Sequence, residues 1–273
     1  SGDLHSAAAV YELAEGEHKQ QLSDILCKER RNTLLLARWE HTPAAVLQML
    51  AEIEDETIRL RLDKNPSSRA GTLNTIYKKG GHDRQLISLL TQHAHSSSTL
   101  LNSLAMSEDD IPILKSIAAH PNTDANTLNR LEQRYPDMFD NELAVHAETP
   151  PELLEKLYQR GNCFIRSAVV THIRCPQFLL DLAFNETDIN ILRHLAANPR
   201  LSPEKLAILA QHDDVSVLRT LAGNPSLSKE LANQMIHNST NIVRRALASR
   251  TDLTDENLQQ LANDEDHWVR QRV

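Results

Sequence analysis

A 26-residue period constrains this chain more than any other feature. Val243-Arg244-Arg245-Ala246-Leu247-Ala248 repeats Val217-Leu218-Arg219-Thr220-Leu221-Ala222, which repeats Ile191-Leu192-Arg193-His194-Leu195-Ala196. The register continues upstream through Ile165, Phe139 and Ile113, giving six segments without slippage. It loosens to 27 residues at Leu86 and 28 at Ile58, then returns to 26 for the segment starting near Asn32. About nine repeats thus span residues 32–273, the last incomplete. Such self-similarity marks a stacked architecture, because one repeat buries too little apolar surface to offset the entropy of ordering itself and must lean on its neighbours.

Each repeat has two halves. The first carries apolar residues at i, i+4 and i+5, as in Ile191, Leu195 and Ala196, which fits one face of a short helix. It is stopped by Asn198-Pro199, Asn224-Pro225, His120-Pro121 or Asn65-Pro66, since a residue before proline is pushed out of the helical region. The second half opens with Ser202-Pro203-Glu204, Ser228-Lys229-Glu230, Thr254-Asp255-Glu256 or Thr42-Pro43-Ala44, a capping hydroxyl followed by first-turn residues. Its apolar set, Leu206, Leu209 and Ala210, recurs as Leu258, Leu261 and Ala262 and as Leu154, Leu157 and Tyr158, and predicts the longer amphipathic helix. A second capping column, Asp188, Asp214, Thr240 and Asp266, precedes the next repeat. Two capped helices per repeat and no strand signal predict an all-α solenoid over 32–273, in one continuous domain with an N-terminal helical cap over 1–31. The final Trp268 to Val273 read as either a terse cap or the start of an interrupted further repeat, and Ser1-Gly2 without a methionine reads as a trimmed or processed start.

The pattern V-R-x-x-[LA]-A-x-N-P-x-L-[ST]-x-E-x-L-x-x-L-A-x-D-x-D resembles the variant leucine-rich repeat. The match is clear from Ile113 to Val273, weaker from about Asn32, and most specific in the repeats starting at Ile191, Val217 and Val243. The resemblance implies a right-handed superhelix in which each repeat supplies one α-helix and one 3₁₀-helix, with no parallel sheet. One member of that family holds an iron–sulfur centre in an N-terminal cysteine cluster. Here that region has only Cys27, so the cofactor does not carry over, and no other is expected.

Composition narrows the function classes. The chain has only 7 glycines, and no phosphate-cradling or nucleophile-elbow motif can be assembled from them. The net charge is −8, shared evenly about residue 138, with no basic domain or tail to favour nucleic acid or anionic membrane. Cys27, Cys163 and Cys175 are an odd number without regular spacing, which points to a reducing compartment and a cytoplasmic protein. No run is long and apolar enough for a membrane span or a signal peptide.

Three groups of residues are candidates for chemistry. His93, His120, His146 and His172 occupy the position held by Asn65, Asn198 and Asn224 elsewhere. Stacked imidazoles about 10 Å apart are too distant to share a metal, so they read as a structural ladder in which His and Asn bond the backbone where a helix ends, and no metal is expected even with His95 beside His93. Arg193, Arg219 and Arg245 fall in register, with Arg166, Arg244 and Arg270 one position earlier. They read first as a structural ladder of ion pairs with the Asp188, Asp214 and Asp266 column across the repeat junction, and otherwise as a groove gripping carboxylates or phosphates. Cys163 and Cys175 flank a helix that includes His172, but Cys175 sits where other repeats place a core Leu or Thr, which predicts burial. Asp109-Asp110 and Asp213-Asp214 fall between helices as solvated acids. No catalytic residue is expected. The leading reading is a non-catalytic scaffold for an unidentified protein or peptide, with Arg193, Arg219, Arg245, Arg244 and Arg270 as candidate partner-binding residues. The alternatives are nucleic-acid or other polyanion binding along the arginine columns and, third, an enzyme.

Overall fold

Helices alone build the structure, a computed structural model that describes residues 2–80, 83–238 and 240–273. Two compact units divide the chain, Ser1–Glu142 and Leu143–Val273. The first contains α1 (Gly2–Tyr11), α2 (Gly16–Cys27), α3 (Arg30–Arg38), α4 (Ala44–Ala51), α5 (Glu56–Asp63), α6 (Ala70–Gly80), α7 (Arg84–Leu90), α8 (Ser98–Ser107), α9 (Ile111–Ala119) and α10 (Ala125–Arg134). The division falls inside α11 (Asp140–Val145). The second contains α12 (Pro151–Arg160), α13 (Cys163–Thr171), α14 (Gln177–Ala183), α15 (Ile189–Ala197), α16 (Pro203–Leu209), α17 (Val215–Ala222), α18 (Lys229–Asn238), α19 (Asn241–Leu247), α20 (Asp255–Ala262) and α21 (His267–Arg270). Among the described residues there is no strand, and no helix is long and apolar enough to cross a membrane.

Within each unit, helices of the same kind lie beside one another, an arrangement consistent with an α-solenoid. In the first unit α3, α5, α7 and α9 pack in succession, and α4 packs on α6 and α8 on α10. In the second, α13, α15, α17, α19 and α21 form one layer, and each of α14, α16, α18 and α20 packs on the odd-numbered helix that follows it. The seam is apolar. Ile191, Leu195 and Ala196 of α15 and Leu206 and Leu209 of α16 are buried, as are Leu154, Leu157 and Tyr158 of α12. At the junction of α12 and α13 the backbone passes so close that a Cβ on Gly161 would lie 2.4 Å from the Leu157 carbonyl oxygen and 2.6 Å from the Ile165 side chain.

Three expectations are corrected. Both helices of a pair are α-helices, without 3₁₀ alternation: Leu192 N–H reaches the Asp188 carbonyl and Leu218 N–H that of Asp214, four residues back. Three-residue bonds appear at helix ends, as from Asn198 N–H to Leu195. Nor is the second helix regularly the longer: α15 has 9 residues and α16 has 7. The Asp cap and the Asn-Pro stop stretch the first helix, since Asp188 Oδ1 accepts from Asn190 N–H at its start and Asn198 closes its end. Finally, Thr42 is not an N-cap. Pro43 holds that position, and the Thr42 hydroxyl turns inward to the Leu36 carbonyl at 2.7 Å. Ser68, Ser96, Thr123 and Thr149 each make the same bond to a carbonyl six residues back. Capping belongs to the next position, where Ser97, Asp124, Ser202 and Thr254 accept helix N–H groups.

Within each unit a directional ladder ties a repeat to the one before it. In the first unit Asn65 Nδ2 donates to the carbonyls of Ala37 and Trp39, and Nε2 of His93 and of His120 bonds the carbonyls of Asn65 and His93, each at 3.0 Å. In the second, His172 Nε2 bonds the His146 carbonyl at 2.8 Å. Asn198 donates to Val170, and Asn224 to Ala196 and Asn198. The same side chains accept, through Oδ1 or Nδ1, the backbone N–H two residues on. An imidazole that accepts at Nδ1 and donates at Nε2 is neutral. Arg250 occupies the next place in the column and donates to Ala222, Asn224 and Leu227 carbonyls.

One core position breaks the pattern. Asp63 stands where the other repeats carry residues such as Ala37, Thr91, Ala118, Ala196, Ala222 and Ala248, and it is 2% exposed. Neither carboxyl oxygen has a hydrogen-bond partner, and burial pushes its pKa up to about 7.

Two predictions follow from these groups. His172→Asn keeps both hydrogen-bonding roles and is expected to cost under about 1 kcal/mol in urea unfolding, against about 1–3 kcal/mol for His172→Leu, which orphans the Arg174 N–H and leaves the His146 carbonyl with the Thr149 N–H alone. Burial holds the His172 pKa below its ordinary value, so its stabilisation is present above about pH 6.5 and is lost as pH falls through the folded value. At Asp63 the sign is opposite. Between about pH 4 and 7 the folded chain keeps a proton that the unfolded chain has released, so stability falls as pH rises through that window. Asp63→Ala is expected to remove that slope and to raise stability at pH 8 by about 2–4 kcal/mol.

Candidate functional site

The histidine column carries structure. Nδ1 of His93, His120, His146 and His172 accepts a backbone N–H, and Nε2 of His93, His120 and His172 bonds a carbonyl of the preceding repeat. His95 Nε2 lies 2.7 Å from Arg69 Nη1, and burial followed by the nearby Arg69 charge lowers its pKa. Among the described residues no three His, Cys, Asp or Glu side chains gather in a metal-holding group. Cys175 is fully buried, with its thiol pushed up to about 11 by that burial, which leaves it a protonated packing group. Asp109 pairs with Arg134 and accepts the Tyr135 hydroxyl at 2.9 Å.

The arginine columns divide into two kinds. One position early, Arg166 and Arg244 pair with an acid 20 residues on, at the end of the second helix of the same repeat. Arg166 Nη1 lies 3.0 Å from Glu186 Oε1. Arg244 grips both oxygens of Asp264 at 2.6 and 3.0 Å, and these bonds hold the Asp264 carboxyl below its ordinary pKa. Arg270 donates to the carbonyls of Asp264 and Glu265 at 2.7 and 3.0 Å.

Arg193, Arg219 and Arg245 behave differently, and the expected pairing with Asp188, Asp214 and Asp266 does not form. Those carboxylates cap their own helices: Asp214 accepts from Ser216 and Val217 N–H, and Asp266 from Trp268 and Val269 N–H. Five residues along a helix turn the arginine well away from its cap, so the two columns diverge. Arg193 and Arg219 are exposed and have no ion pair or hydrogen bond among the described residues. Arg245 lies 5.5 Å from the centroid of the Trp268 ring, a cation–π contact.

These arginines share one face. Residues at i, i+3 and i+7 lie along one side of a helix, which groups Asn190, Arg193 and Ala197 on α15, Ser216, Arg219 and Gly223 along α17 and its C-cap, and Ile242, Arg245 and Ser249 along α19 and its end. Phe164 and Trp268, at the equivalent position on α13 and α21, are 75% and 56% exposed. Across α13, α15, α17, α19 and α21 there are six arginines and no aspartate or glutamate. Acids lie instead in the even-numbered helices, as with Glu152, Glu155, Asp181, Glu204, Glu230 and Asp255. A chain of net charge −8 therefore presents a layer of helices free of negative side chains.

Sequence reasoning missed a groove in the first unit. It has a volume of about 880 Å³ and is lined by the apolar Leu4, Ile25, Leu35 and Trp39 together with Arg31, Arg38, Glu29 and Glu40. Trp39 packs against His5 at 4.2 Å between ring centroids. Its signal was Trp39, one of two tryptophans, beside the half-exposed Leu35. Two arginines and two glutamates in the lining give the groove no preference for either sign.

No protein-family model and no curated protein matches the chain. Among solved structures, an engineered protein crystallised as Northeast Structural Genomics Consortium target OR497 is similar over 99% of this chain and 97% of its own, at 14% identity and a TM-score of 0.32.

The two kinds of arginine predict opposite mutational outcomes. Arg219→Ala is expected to leave unfolding free energy within about 0.5 kcal/mol of wild type. Arg244→Ala strands the Asp264 carboxylate, whose side chain is 7% exposed, and is expected to cost about 2–3 kcal/mol in the same urea titration.

Proposed function

We propose that this protein is a non-catalytic binding scaffold that holds an acidic protein or peptide segment along the odd-numbered helices of its second unit. The observation that carries the reading is the stripe of Arg193, Arg219 and Arg245, without ion pairs among the described residues, on helices free of carboxylates. Guanidinium groups grip carboxylates in a planar, two-pronged geometry, and a stripe lacking internal counter-charges is ready for external ones. Exposed Phe164, Ile242 and Trp268 on the same side supply the apolar contact that binding surfaces combine with charge.

The scaffold itself is read as a variant leucine-rich repeat array of about nine repeats wound in a right-handed superhelix, acting in the cytoplasm. The repeat pattern, the packing of like helices and three unpaired cysteines support this reading. Polar groups that would serve catalysis are bound into the architecture: the column histidines bond backbone, and Cys175 is buried with a raised pKa.

Fluorescently labelled poly-L-glutamate is the direct test. At ~20 mM salt the wild-type chain is expected to bind it, and to bind more weakly at ~300 mM, where screening is short-ranged. Replacing Arg193, Arg219 and Arg245 together with Ala is expected to weaken binding by about 30- to 100-fold, on the order of 1 kcal/mol for each exposed charge. Absence of binding, or binding indifferent to the triple substitution, overturns the reading. Tighter binding of duplex DNA through the same arginines replaces it with polyanion recognition.

A further inference from the structure

The spacing of the three arginines specifies the conformation of what they hold. Resting on the acidic-segment reading, we propose that the stripe recognises a polyproline-II segment with a carboxylate at every third residue, the central one bound by Arg219. The argument begins with helix packing. Arg193, Arg219 and Arg245 occupy equivalent places on α15, α17 and α19, and each of these helices packs directly on the next. Packed helix axes lie about 8–10 Å apart, so the guanidinium groups arise from the surface at that interval.

Polyproline II matches both the distance and the direction. It has three residues per turn and rises about 3.1 Å per residue, so residues i, i+3 and i+6 face one side at intervals of about 9.3 Å. A β-strand fails on one count or the other: i and i+2 share a face but lie only about 6.7 Å apart, while i and i+3 point to opposite faces. On an α-helix the same-face neighbours at i+3 and i+4 lie only about 4.5–6 Å along the axis and the one at i+7 about 10.5 Å, so neither spacing falls within the packing interval. Small residues beside the stripe, Ala197, Gly223 and Ser249, are exposed and leave room for a narrow ligand backbone.

The end of the stripe suits proline as well. Trp268 stands beside Arg245 with its ring more than half exposed. Prolines of a polyproline-II ligand dock on aromatic side chains and bring a preformed backbone with little entropy left to lose. Carboxylates on one edge and prolines on the others thus answer the arginines and the tryptophan together.

The test uses two labelled peptides of identical composition and charge. One is Glu-Pro-Pro three times over, and the other has its three glutamates contiguous and followed by the six prolines. With the full chain at ~20 mM salt, the periodic peptide is expected to bind about 10-fold more tightly than its isomer. Arg219→Ala, whose folding is checked by circular dichroism, is expected to weaken the periodic peptide about 10-fold and to abolish the preference. Equal binding of the two isomers overturns the spacing while leaving the acidic-segment reading intact, as does binding of poly-L-glutamate with neither peptide bound. Failure of all three probes overturns both. A single-stranded DNA oligomer that binds more tightly than the periodic peptide, with the same loss in the Arg219 variant, overturns the proposal in favour of phosphate recognition.

Discussion

Everything regular in this molecule depends on one hydrogen-bonding device, the side chain that closes the first helix of each repeat. Where it is Asn or His it bonds a carbonyl near the same place one repeat back, as Asn224 does, and accepts the backbone N–H two residues further on. Apolar burial is indifferent to direction and tolerates small slips. A bond that needs a donor and an acceptor at fixed positions does not, so the column fixes where each first helix ends and how it sits on its neighbour. This is why the chain turns with Asn-Pro and His and needs little glycine. Among the described residues only Gly16 and Asp137 have positive φ.

The device also explains which parts of the structure could be read from sequence. Columns 26 residues apart exposed the helix pairs, the Asp caps and the equivalence of Asn and His, because each recurs often enough to separate role from residue. Reading fails where a column changes meaning along the chain. Thr42 resembles Ser202 as a hydroxyl before or at a helix start, yet it belongs one position earlier, with inward-facing Ser68 and Thr123. In later repeats Cys175, Leu201, Leu227 and Leu253 hold that inner position, so the polar and apolar versions look unrelated. The arginine and aspartate columns share a period, and a common period suggested contact. Their angular separation around the helix decides against it, and angle is carried by the fold. Asp63 is visible as an acid in an alanine column only after the alignment absorbs the irregular 28-residue repeat.

Charge is distributed by the same division of labour. Where a guanidinium can reach a carboxylate of its own repeat, as Arg166 and Arg244 do, it is absorbed into the architecture. Where the neighbouring acids are already bound to helix N–H groups, as with Asp214, an arginine such as Arg219 is exposed and has no ion pair among the described residues. The proposed binding stripe is thus a by-product of capping: the residues that could have neutralised it are occupied in starting helices.

The ladder has a direction, and that gives the chain a property of its genetic design. Each rung faces back along the sequence and asks only for a carbonyl, which every residue type supplies. Asn, His and Arg all serve as the donor, so neighbouring segments need not co-evolve to fit one another. A duplication or loss of one whole 26-residue segment within a unit would rejoin donor to acceptor at the new junction, and the length of such a chain is free to drift by whole segments while its arginine stripe lengthens or shortens in step.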